Sequence, residues 1–390
     1  MILGVGAQGS VIASHLVKYP EVAEVRLADI NLEKVDKLAN RLNSDKVRVH
    51  KVDATNVEEI VKAAEGVDLF VNAASYVWKL IENSMEAALR IKANYLDLAG
   101  ARQIQFSEKW REANLTALIG GGEDPGISNV LAKEGAERLD RVDEIRIKDW
   151  GSMDSKEIIF GWNPPALWAD LASSPDVFEN GEHKRLPPFS GEEIYDFPAP
   201  IGPKTVTHHA HEEVSTLSRF IEGVKYVEFK LGTPELPMVK FIIELGLMGR
   251  DPIEVKGVKV SPREVLFALT PPTLTMDEVE EKIRAGILVD EQECILVDVK
   301  GEKEGKEARH VLYTIMSLKE ANQLMPGATG VAYLTGTSGA VFAKMLLDGE
   351  ITTNGAIPPE CLSKRERAAF LEHLAEKGII IREKAERIIN

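Results

Sequence analysis

Gly4-Val5-Gly6-Ala7-Gln8-Gly9 follows a short apolar start and has the spacing G-x-G-x-x-G. In such a motif the first glycine permits a tight turn and the second lets the backbone approach a pyrophosphate. The third allows a helix to pack closely on the preceding strand. Residues 10–17 continue as a predicted helix, whose N-terminal amides favour an anion. The cofactor-binding residues predicted from this motif are Gly4, Gly6, Ala7, Gln8 and Gly9.

An acidic residue stands where a dinucleotide-binding unit needs one. Asp29 lies at the end of the second predicted strand (25–30), 20 residues after Gly9. A carboxylate at this place accepts hydrogen bonds from the ribose hydroxyls of adenosine and repels a 2′-phosphate. Ile30 follows, so no arginine is present to bind such a phosphate. The motif and the acid together predict that the cofactor is NAD rather than NADP.

Strands and single helices alternate through the first 125 residues. This order requires right-handed crossovers and predicts an α/β fold with a Rossmann-type, doubly wound parallel sheet in residues 1–125. Only three residues precede Gly4, fewer than the usual strand of about five, so the first strand is expected to be short or to begin upstream. The predicted strands after the first are 25–30, 47–52, 67–73, 95–98 and 116–119, and the predicted helices are 32–42, 57–64, 79–91 and 106–113.

The alternation stops near Asp124, and 390 residues are too many for one ordinary core. We therefore predict a second α/β domain over 126–330, and helices over 331–390. The segment 163–204 contains eight prolines and is predicted to be irregular and to pack over a site. The strands predicted in the second domain are 142–148, 224–230, 253–260, 294–300 and 309–316.

The composition narrows the classes of partner and compartment. A formal net charge of -15 repels nucleic acid and anionic membranes, so neither is an expected partner. The two cysteines, Cys294 and Cys361, are far apart and fit a reducing compartment rather than a disulfide framework or a zinc site. The apolar start has no basic region and no cleavage site typical of a signal peptide. We expect a cytoplasmic protein that acts on a small molecule.

Further candidate residues lie at the predicted carboxyl edge of the parallel sheet. Small residues in Asn72-Ala73-Ala74-Ser75 favour the approach of the nicotinamide half of a cofactor, with helix packing as the alternative. Asp53 ends the third strand and is a candidate for the adenine region or a plain turn residue. The stretch 120–129, with three glycines, two acids and Pro-Gly, is predicted to cross between domains at this edge.

The segment 207–219 holds an unusual density of titratable side chains. It contains three histidines, two glutamates and Arg219. If the chain is extended there, His209 and His211 share a face. A metal site lacks a further ligand and is not predicted, and a polar surface loop is a second alternative. We favour an active site, in which acid–base groups act beside an arginine that binds a carboxylate.

Several stretches carry a resemblance to a known family. They are Ala28-Asp29-Ile30, Tyr95-Leu96-Asp97-Leu98-Ala99-Gly100, Glu123-Asp124-Pro125-Gly126-Ile127-Ser128-Asn129 and Gly355-Ala356-Ile357-Pro358-Pro359-Glu360. With the opening glycine motif, they make nearly the whole chain similar to the saccharopine dehydrogenase and lysine 6-dehydrogenase family. The Asp-Pro-Gly-x-x-Asn element is the most specific of them.

The branch of this family is less clear than the family itself. Residues 215–219 followed by 224–226 are similar to the lysine dehydrogenase branch. The stretch from 195–198 to 211–213 looks more like the carboxynorspermidine dehydrogenase branch. That branch usually has a Ser-Arg-Thr-type NADP signature, where this chain has Asp29-Ile30-Asn31.

The resemblance implies a second domain with a mixed sheet that mediates homodimerisation, and C-terminal helices that pack back on the Rossmann domain. It implies hydride transfer at a carbon–nitrogen bond of an amino acid, through an imine. Our first substrate prediction is lysine or a lysine-derived secondary amine such as saccharopine. The alternatives are NADPH-dependent, carboxynorspermidine dehydrogenase-type imine reduction and a non-catalytic NAD(H)-binding sensor.

Roles for individual residues are predicted on this basis. A general base must neutralise the amine before hydride can leave, and Arg219 is suited to hold a substrate carboxylate by a bidentate contact. The predicted catalytic residues are Glu123, His209, His211, Glu212, Tyr76 and Asp97; the predicted substrate-binding residues are Arg219, Thr216 and Asp124; and the further predicted cofactor-binding residues are Asp29, Asp53, Asn72, Ala73, Ala74 and Asn129.

Overall fold

The computed structural model of the chain describes residues 1–74 and 77–387. Within these residues the strands form a seven-stranded sheet, a nine-stranded sheet and a separate two-stranded hairpin. The first sheet is parallel and the second is mixed, which confirms the predicted α/β fold class. Among the same residues no helix is both long enough and apolar enough to cross a membrane.

The parallel sheet consists of β1 Ile2–Leu3, β2 Val25–Asp29, β3 Val47–Lys51, β4 Leu69–Asn72, β5 Asn94–Asp97, β6 Thr116–Leu118 and β17 Gly355–Ile357. Its strand order is β17-β6-β5-β4-β1-β2-β3. The order reverses between β1 and β4, and ligands of doubly wound folds bind outside the carboxyl ends of the strands at such a point. The helices of this part are α1 Ala7–Leu16, α2 Leu32–Leu42, α3 Val57–Ala64, α4 Trp78–Ile91, α5 Ser107–Glu112, α6 Ile127–Ala136, α13 Gly330–Leu347 and α14 Lys364–Glu376.

Local sequence explains where these helices begin. The side chains of Asn31 and Asn56 accept backbone amide bonds at the first turns of α2 and α3, and Ser363 forms a capping box with Glu366 at α14. Between helices and sheet, the buried rings of Tyr95 and neighbouring aromatic residues fill the core. The strands and helices predicted in the first 125 residues are present, and their ends agree with the prediction to within about three residues.

The C-terminal segment returns to the parallel sheet, as the fold prediction states. β17 pairs in parallel with β6, and α13 lies against α1. A side chain at Gly336 would place its Cβ 2.5 Å from that of Val11, so only glycine permits this close packing. His15 Nε2 lies 2.9 Å from Thr337 Oγ1 in the same contact. The compact unit comprises Met1–Glu134, Ser215–Ile221 and Val331–Arg382.

The mixed sheet belongs to a second compact unit, Gly135–Val214, Glu222–Gly330 and Glu383–Asn390. Its strands are β7 Arg141–Ser155, β8 Asp176–Glu179, β9 Glu182–Arg185, β10 Glu193–Phe197, β11 Gly202–His208, β12 Tyr226–Gly232, β15 Leu288–Lys303, β16 Lys306–Ser317 and β18 Arg382–Arg387. They follow the order β10-β11-β12-β7-β15-β16-β18, and β8 pairs with β12 and β9. The remaining elements are the hairpin β13 Ile253–Val255 and β14 Val258–Val260, and helices α7 Pro164–Leu171, α9 Leu236–Glu244, α10 Pro262–Leu269, α11 Met276–Arg284 and α12 Leu318–Leu324. Helix α8 Glu213–Phe220 begins in this unit, and its residues from Ser215 onward belong to the first unit.

Two sequence expectations differ from this architecture. The segment 163–204 is not irregular throughout, because Asn163 caps a helix that begins with proline and strands β8 to β11 follow. The segment 331–390 is not wholly helical, because it also contains β17 and β18. Both are short strands, and β18 is charged and exposed along its length, so neither has the alternating apolar pattern that marks a strand in sequence.

Candidate functional site

The glycine motif forms a bare turn between β1 and α1. Gly4 has φ +95°, and a Cβ there would lie 2.4 Å from the backbone of Ala74. A Cβ at Gly9 would lie 2.0 Å from the carbonyl oxygen of Gly4 and 3.4 Å from the Cβ of Ala73. At Gly6, by contrast, a Cβ would meet nothing within 4 Å. Two glycines thus allow close packing and one faces open space, which fits a cofactor pyrophosphate at the start of α1.

Asp29 is held at the mouth of this turn. Its Oδ2 accepts the backbone amide of Val5 at 3.1 Å, and its Oδ1 accepts that of Asn31 at 2.9 Å. Each carboxylate oxygen can accept more than one hydrogen bond, so both keep an acceptor position for a ribose hydroxyl. Asp29 thus lies beside the glycine turn, and its contact with a ribose stays a prediction.

Asp53 lies in the turn after β3. Its Oδ1 accepts the backbone amide of Thr55 at 2.8 Å and the hydroxyl at 2.7 Å. These bonds hold the pKa of the Asp53 carboxyl below its usual range. The turn-residue alternative accounts for all of these contacts, while a contact with adenine stays a prediction.

Asn72 and Asp97 meet at the carboxyl ends of β4 and β5. Asn72 Nδ2 donates to Asp97 Oδ2 at 3.1 Å and to the Tyr95 hydroxyl at 3.2 Å, and that hydroxyl donates to Asp97. Asn72 Oδ1 accepts the amide of Ala74 and so fixes the backbone beside the glycine turn. Burial raises the pKa of Asp97 to about 6. The cluster lies at the carboxyl edge of the sheet, and the cofactor and catalytic roles predicted for Asn72 and Asp97 stay predictions. Tyr76 lies outside the described residues.

Asn129 ties three segments together. Its Oδ1 accepts the amide of Gly126 at 2.9 Å, and its Nδ2 donates to Glu360 Oε2 at 2.9 Å and to Thr216 Oγ1 at 3.3 Å. All three side chains are buried. The stretch 123–129, the most specific part of the family resemblance, is therefore hydrogen-bonded through Asn129 to a second such stretch, 355–360, and to α8. Glu360 was assigned no role from sequence, although its stretch was recognised.

The other candidates of this unit differ in exposure. Glu123 is 4% exposed and Asp124 is partly buried, in the loop before α6. Arg219 is exposed in the last turn of α8, with its guanidinium 5.3 Å from the ring centroid of Phe220. Thr216, three residues earlier on the same helix, is buried. The roles predicted for these four residues stay predictions.

The histidine segment continues from β11 in the mixed-sheet unit. The His211 ring stacks on Phe229, with centroids 4.1 Å apart, and its Nδ1 lies 2.5 Å from Glu213 Oε2. The His209 ring lies 5.8 Å from that of His211, so the two share a side, as the alternation predicts. Burial and the neighbouring His211 lower the pKa of His209 to about 3. Glu212 Oε2 lies 3.9 Å from His211 Nδ1.

Two carboxylates that interact electrostatically with this segment were not identified from the sequence. Burial raises the pKa of Asp149, on β7, to about 6, and the charge of Glu213 adds to the rise while Glu293 and His211 oppose it. Burial and Glu212 raise the pKa of Asp170, on α7, to about 7. Both acids lie more than 40 residues before His211 in the chain, and no motif connects them. Only the register of β7 with β12, which sets Asp149 opposite Leu231, brings Asp149 near.

The glycine turn, Asp29 and the polar carboxyl edge define a Rossmann-type dinucleotide-binding oxidoreductase. The chain belongs to the saccharopine dehydrogenase family, because the family models for its NADP-binding domain and its C-terminal domain match residues 1–118 and 122–379. It is therefore an oxidoreductase of a family that acts on amines and imines. The resemblance inferred from the quoted motifs is confirmed.

Two relatives match this chain over nearly the full length of both proteins. The chain is 24% identical over 396 residues to carboxyaminopropylagmatine dehydrogenase of Synechocystis, covering 97% of this chain and 96% of that protein. It is 26% identical over 408 residues to carboxynorspermidine synthase of Vibrio alginolyticus, covering 97% and 94%.

Solved structures share the fold. The L-Glu-forming saccharopine dehydrogenase of Saccharomyces cerevisiae superposes with a TM-score of 0.72 at 16% identity, covering 99% of each chain. The homospermidine synthase of Legionella pneumophila, solved with NAD, has a TM-score of 0.68 at 14% identity, covering 99% of this chain and 90% of the other.

Proposed function

We propose that this protein is an NAD(H)-linked dehydrogenase that acts on the secondary-amine carbon–nitrogen bond of a carboxylated polyamine. The observation that carries the proposal is the group of carboxylates about His211. Glu213 repels the buried Asp149 there, and Glu212 repels the partly buried Asp170, so a polycationic substrate would relieve both the repulsion and the cost of burial. The names of the full-length relatives, which include a carboxyaminopropylagmatine dehydrogenase and a carboxynorspermidine synthase, support this substrate class.

The chain's own residues supply the proton chemistry. An ammonium group must lose a proton before its carbon can release hydride. Glu213 Oε2 binds Nδ1 of His211, and this contact leaves Nε2 as the nitrogen that accepts the proton. Phe229 fixes the plane of the ring by stacking. His209, with its pKa near 3, is a weak base at neutral pH, so the role of base falls to His211.

The same carboxylates favour the charge that develops during the reaction. A nicotinamide dinucleotide held by the Gly4–Gly9 turn and Asp29 would supply the acceptor for the hydride that the substrate carbon releases. The positive iminium left behind is stabilised by negative groups already fixed in place, which need no reorganisation. Glu123, Asp124 and Arg219 stay candidates for binding the cation and the carboxylate of the substrate.

NAD is the proposed cofactor, although the matching family model is described as an NADP-binding domain. The support is Asp29, a carboxylate whose position repels a 2′-phosphate. We expect the Asp29→Ala variant to lose about tenfold to a hundredfold of the NAD-to-NADP preference, which corresponds to about 1.4 to 2.8 kcal/mol. The ratio of kcat/KM for the two cofactors measures it. A wild-type protein that prefers NADP contradicts the assignment.

A lysine-type substrate is the second candidate. It is favoured by the similarity of 215–219 and 224–226 to the lysine dehydrogenase branch, and lysine and saccharopine also combine amine and carboxylate groups.

The deciding experiment follows NADH or NADPH by absorbance with carboxynorspermidine, saccharopine and lysine as separate substrates. Turnover of carboxynorspermidine supports the first candidate, and turnover of lysine or saccharopine alone moves the assignment to the second. Binding of NADH with no turnover of any of the three contradicts both and favours the non-catalytic alternative.

A further inference from the structure

An exposed arginine lies over an aromatic ring at the carboxyl edge of the parallel sheet. The central carbon of the Arg102 guanidinium is 4.2 Å from the ring centroid of Trp78. Trp78 begins α4, which follows β4, and Arg102 begins a 3-10 helix, Arg102–Phe106, which follows β5. β4 and β5 are neighbours in the sheet, so both residues belong to segments that leave its carboxyl edge, where doubly wound folds bind ligands.

The ring that carries Arg102 is itself packed. Trp78 stacks on Phe106, with ring centroids 6.2 Å apart and planes within 9° of parallel. Both rings are partly buried and pack against the core cluster that contains Tyr95 and Trp110. Arg102 therefore lies over a ring that the core holds in place, and the cation–π contact orients its guanidinium.

The backbone that leads to Arg102 is also fixed. Asp97 Oδ1 accepts the amide of Ala99 at 3.1 Å, and Gln103 Nε2 donates to the carbonyl oxygen of Ala99 at 3.0 Å. Gly100 has φ +106°, and a Cβ there would lie 2.0 Å from Gln103 Nε2, so this turn requires glycine. The turn thus determines where the arginine leaves the sheet.

The guanidinium of Arg102 keeps its hydrogen-bonding capacity. Within residues 1–74 and 77–387 no carboxylate forms an ion pair with it, and it donates no hydrogen bond. Nearby, Arg90 pairs with Glu58 and Arg111 donates to Ser107. A guanidinium has five N–H donors along its edge, and stacking on a ring leaves that edge available. The chain carries -15, so a cation without an acidic neighbour is a local attraction for an anion.

We propose that Arg102, positioned by Trp78, binds the carboxylate of the amine substrate. The inference rests on the proposed function, because it assigns a binding group to one end of that substrate. A carboxylate matches the fork of N–H donors in a bidentate contact, whereas the guanidinium repels an ammonium group. Arg102 therefore selects carboxylated amines against polyamines and diamines that lack the carboxylate.

Two pairs of ligands that differ by one carboxylate test this assignment. They are carboxynorspermidine with norspermidine, and lysine with 1,5-diaminopentane. Calorimetry measures their dissociation constants on the full-length protein with NADH bound. We expect the wild type to bind the carboxylated member of a pair about tenfold to a hundredfold more tightly, the contribution of charged hydrogen bonds. In Arg102→Gln this ratio should fall to about one to three, while the dissociation constant of NADH stays unchanged.

Further variants separate the ring from the charge. Trp78→Leu retains the arginine without its ring, and Arg102→Lys retains the charge without the planar fork, so each should lower the ratio by about threefold to tenfold. Lys109→Gln is the matched control, because Lys109 is an exposed cation on α5 whose Nζ lies 5.6 Å from the ring centroid of Phe106. It should keep the wild-type ratio. Circular dichroism verifies that each variant is folded.

The outcomes that overturn the inference are distinct from those that concern turnover. An equal weakening of both members of a pair in Arg102→Gln would mean that the arginine only stabilises the edge of the sheet. Loss of the ratio in Lys109→Gln as well would assign it to net charge, and loss in Arg219→Gln alone would assign the carboxylate to Arg219. A wild type that binds neither pair, or shows no preference within a pair, also overturns the inference. A preserved ratio without turnover contradicts the proposed function and supports the role of Arg102.

Discussion

Charged side chains have opposite surroundings on the two faces of the mixed sheet, although some of these residues are neighbours in sequence. Lys148 and Asp149 are consecutive on β7, and the pleat sends them to opposite faces. Lys148 Nζ lies 2.6 Å from Glu228 Oε1, whose second oxygen lies 3.0 Å from His208 Nε2. On the other face, burial raises the pKa of Asp149 to about 6, beside Glu293 and His211.

The pKa of Glu228 shows the same contrast. Burial alone would raise this pKa, but the hydrogen bond with His208 and the charges of Lys148 and Lys230 outweigh burial and hold the pKa far below its usual range. Loss of one partner from a compensated buried group is strongly destabilising, whereas burial and repulsion among carboxylates cost stability as long as the carboxylates stay charged. Strain of that kind is retained where it serves binding or catalysis. The difference between the faces therefore supports the proposal that the site lies on the face of Asp149 and His211.

The largest expected effect is loss of turnover in the His211→Asn variant. If His211 is the base, kcat should fall by about 10² to 10⁴, because a positioned general base contributes that much. The acidic limb of the pH–rate profile should also disappear. Measurements of kcat with the amine that proves to be the substrate, together with the dissociation constant of the cofactor, separate an effect on the reaction from an effect on binding.

His208→Asn is the matched control, since His208 lies on the compensated face three residues earlier. Its kcat per folded molecule should stay within a few fold of wild type. Equal losses of kcat in the two variants would mean that the functional site is not confined to the face of His211.

The next largest effect concerns stability on the compensated face. Glu228→Gln removes one member of a buried network and leaves Lys148, 1% exposed, with Glu193 as its remaining carboxylate partner. The free energy of unfolding should fall at neutral pH by at most about 3 to 5 kcal/mol, the cost of a buried charge that has lost its partner. Because the folded pKa of Glu228 is depressed, the wild type gains this stability above the unfolded pKa and loses it as pH falls. The difference between variant and wild type should thus shrink in acid, as urea titrations at several pH values can show.

The Asp149→Asn variant should change stability with the opposite sign. The folded pKa of Asp149 is raised from 3.8 to about 6, so the wild type loses stability as pH rises through this window. Two pKa units correspond to at most about 3 kcal/mol. The variant should be the more stable protein above pH 6 and equal to wild type near pH 4, while it binds the cationic substrate more weakly. A variant that is destabilised at pH 8 would contradict the role given to burial.

The dinucleotide edge was predictable because its signals are local. The glycine spacing, the apolar start and Asp29 lie within 29 residues, and each has one physical reason. The caps at Asn31 and Asn56 are local in the same sense, because each residue lies directly before the helix that it caps. Asn129 shows an intermediate case, since its motif was recognisable but its partners Thr216 and Glu360 depend on tertiary packing.

The substrate side was predictable only in part. His209 and His211 were found from their density, but Asp149 and Asp170 were not, because tertiary structure and not sequence spacing brings them near. Alternation in an extended chain separated His208 from His209 and His211, and His208, at the end of β11, contacts Glu228. The prolines of 163–204 indicated a loop, yet long-range pairing made strands of several stretches.

The smallest expected effect on stability comes from the pair of substitutions that compares the two faces most closely. Glu212 and Glu193 are glutamates with side chains 37% and 36% exposed, the first beside His211 and the second 2.6 Å from Lys148. Glu212 helps to raise the pKa of Asp170, after burial, so Glu212→Gln removes a repulsion. Glu193→Gln removes an attraction. Solvent screening limits each change to about 0.5 to 1 kcal/mol. Chemical denaturation at pH 8 should give a small gain for Glu212→Gln and a small loss for Glu193→Gln, whereas changes of the same sign would mean that exposure, and not the face, governs the effect of a carboxylate.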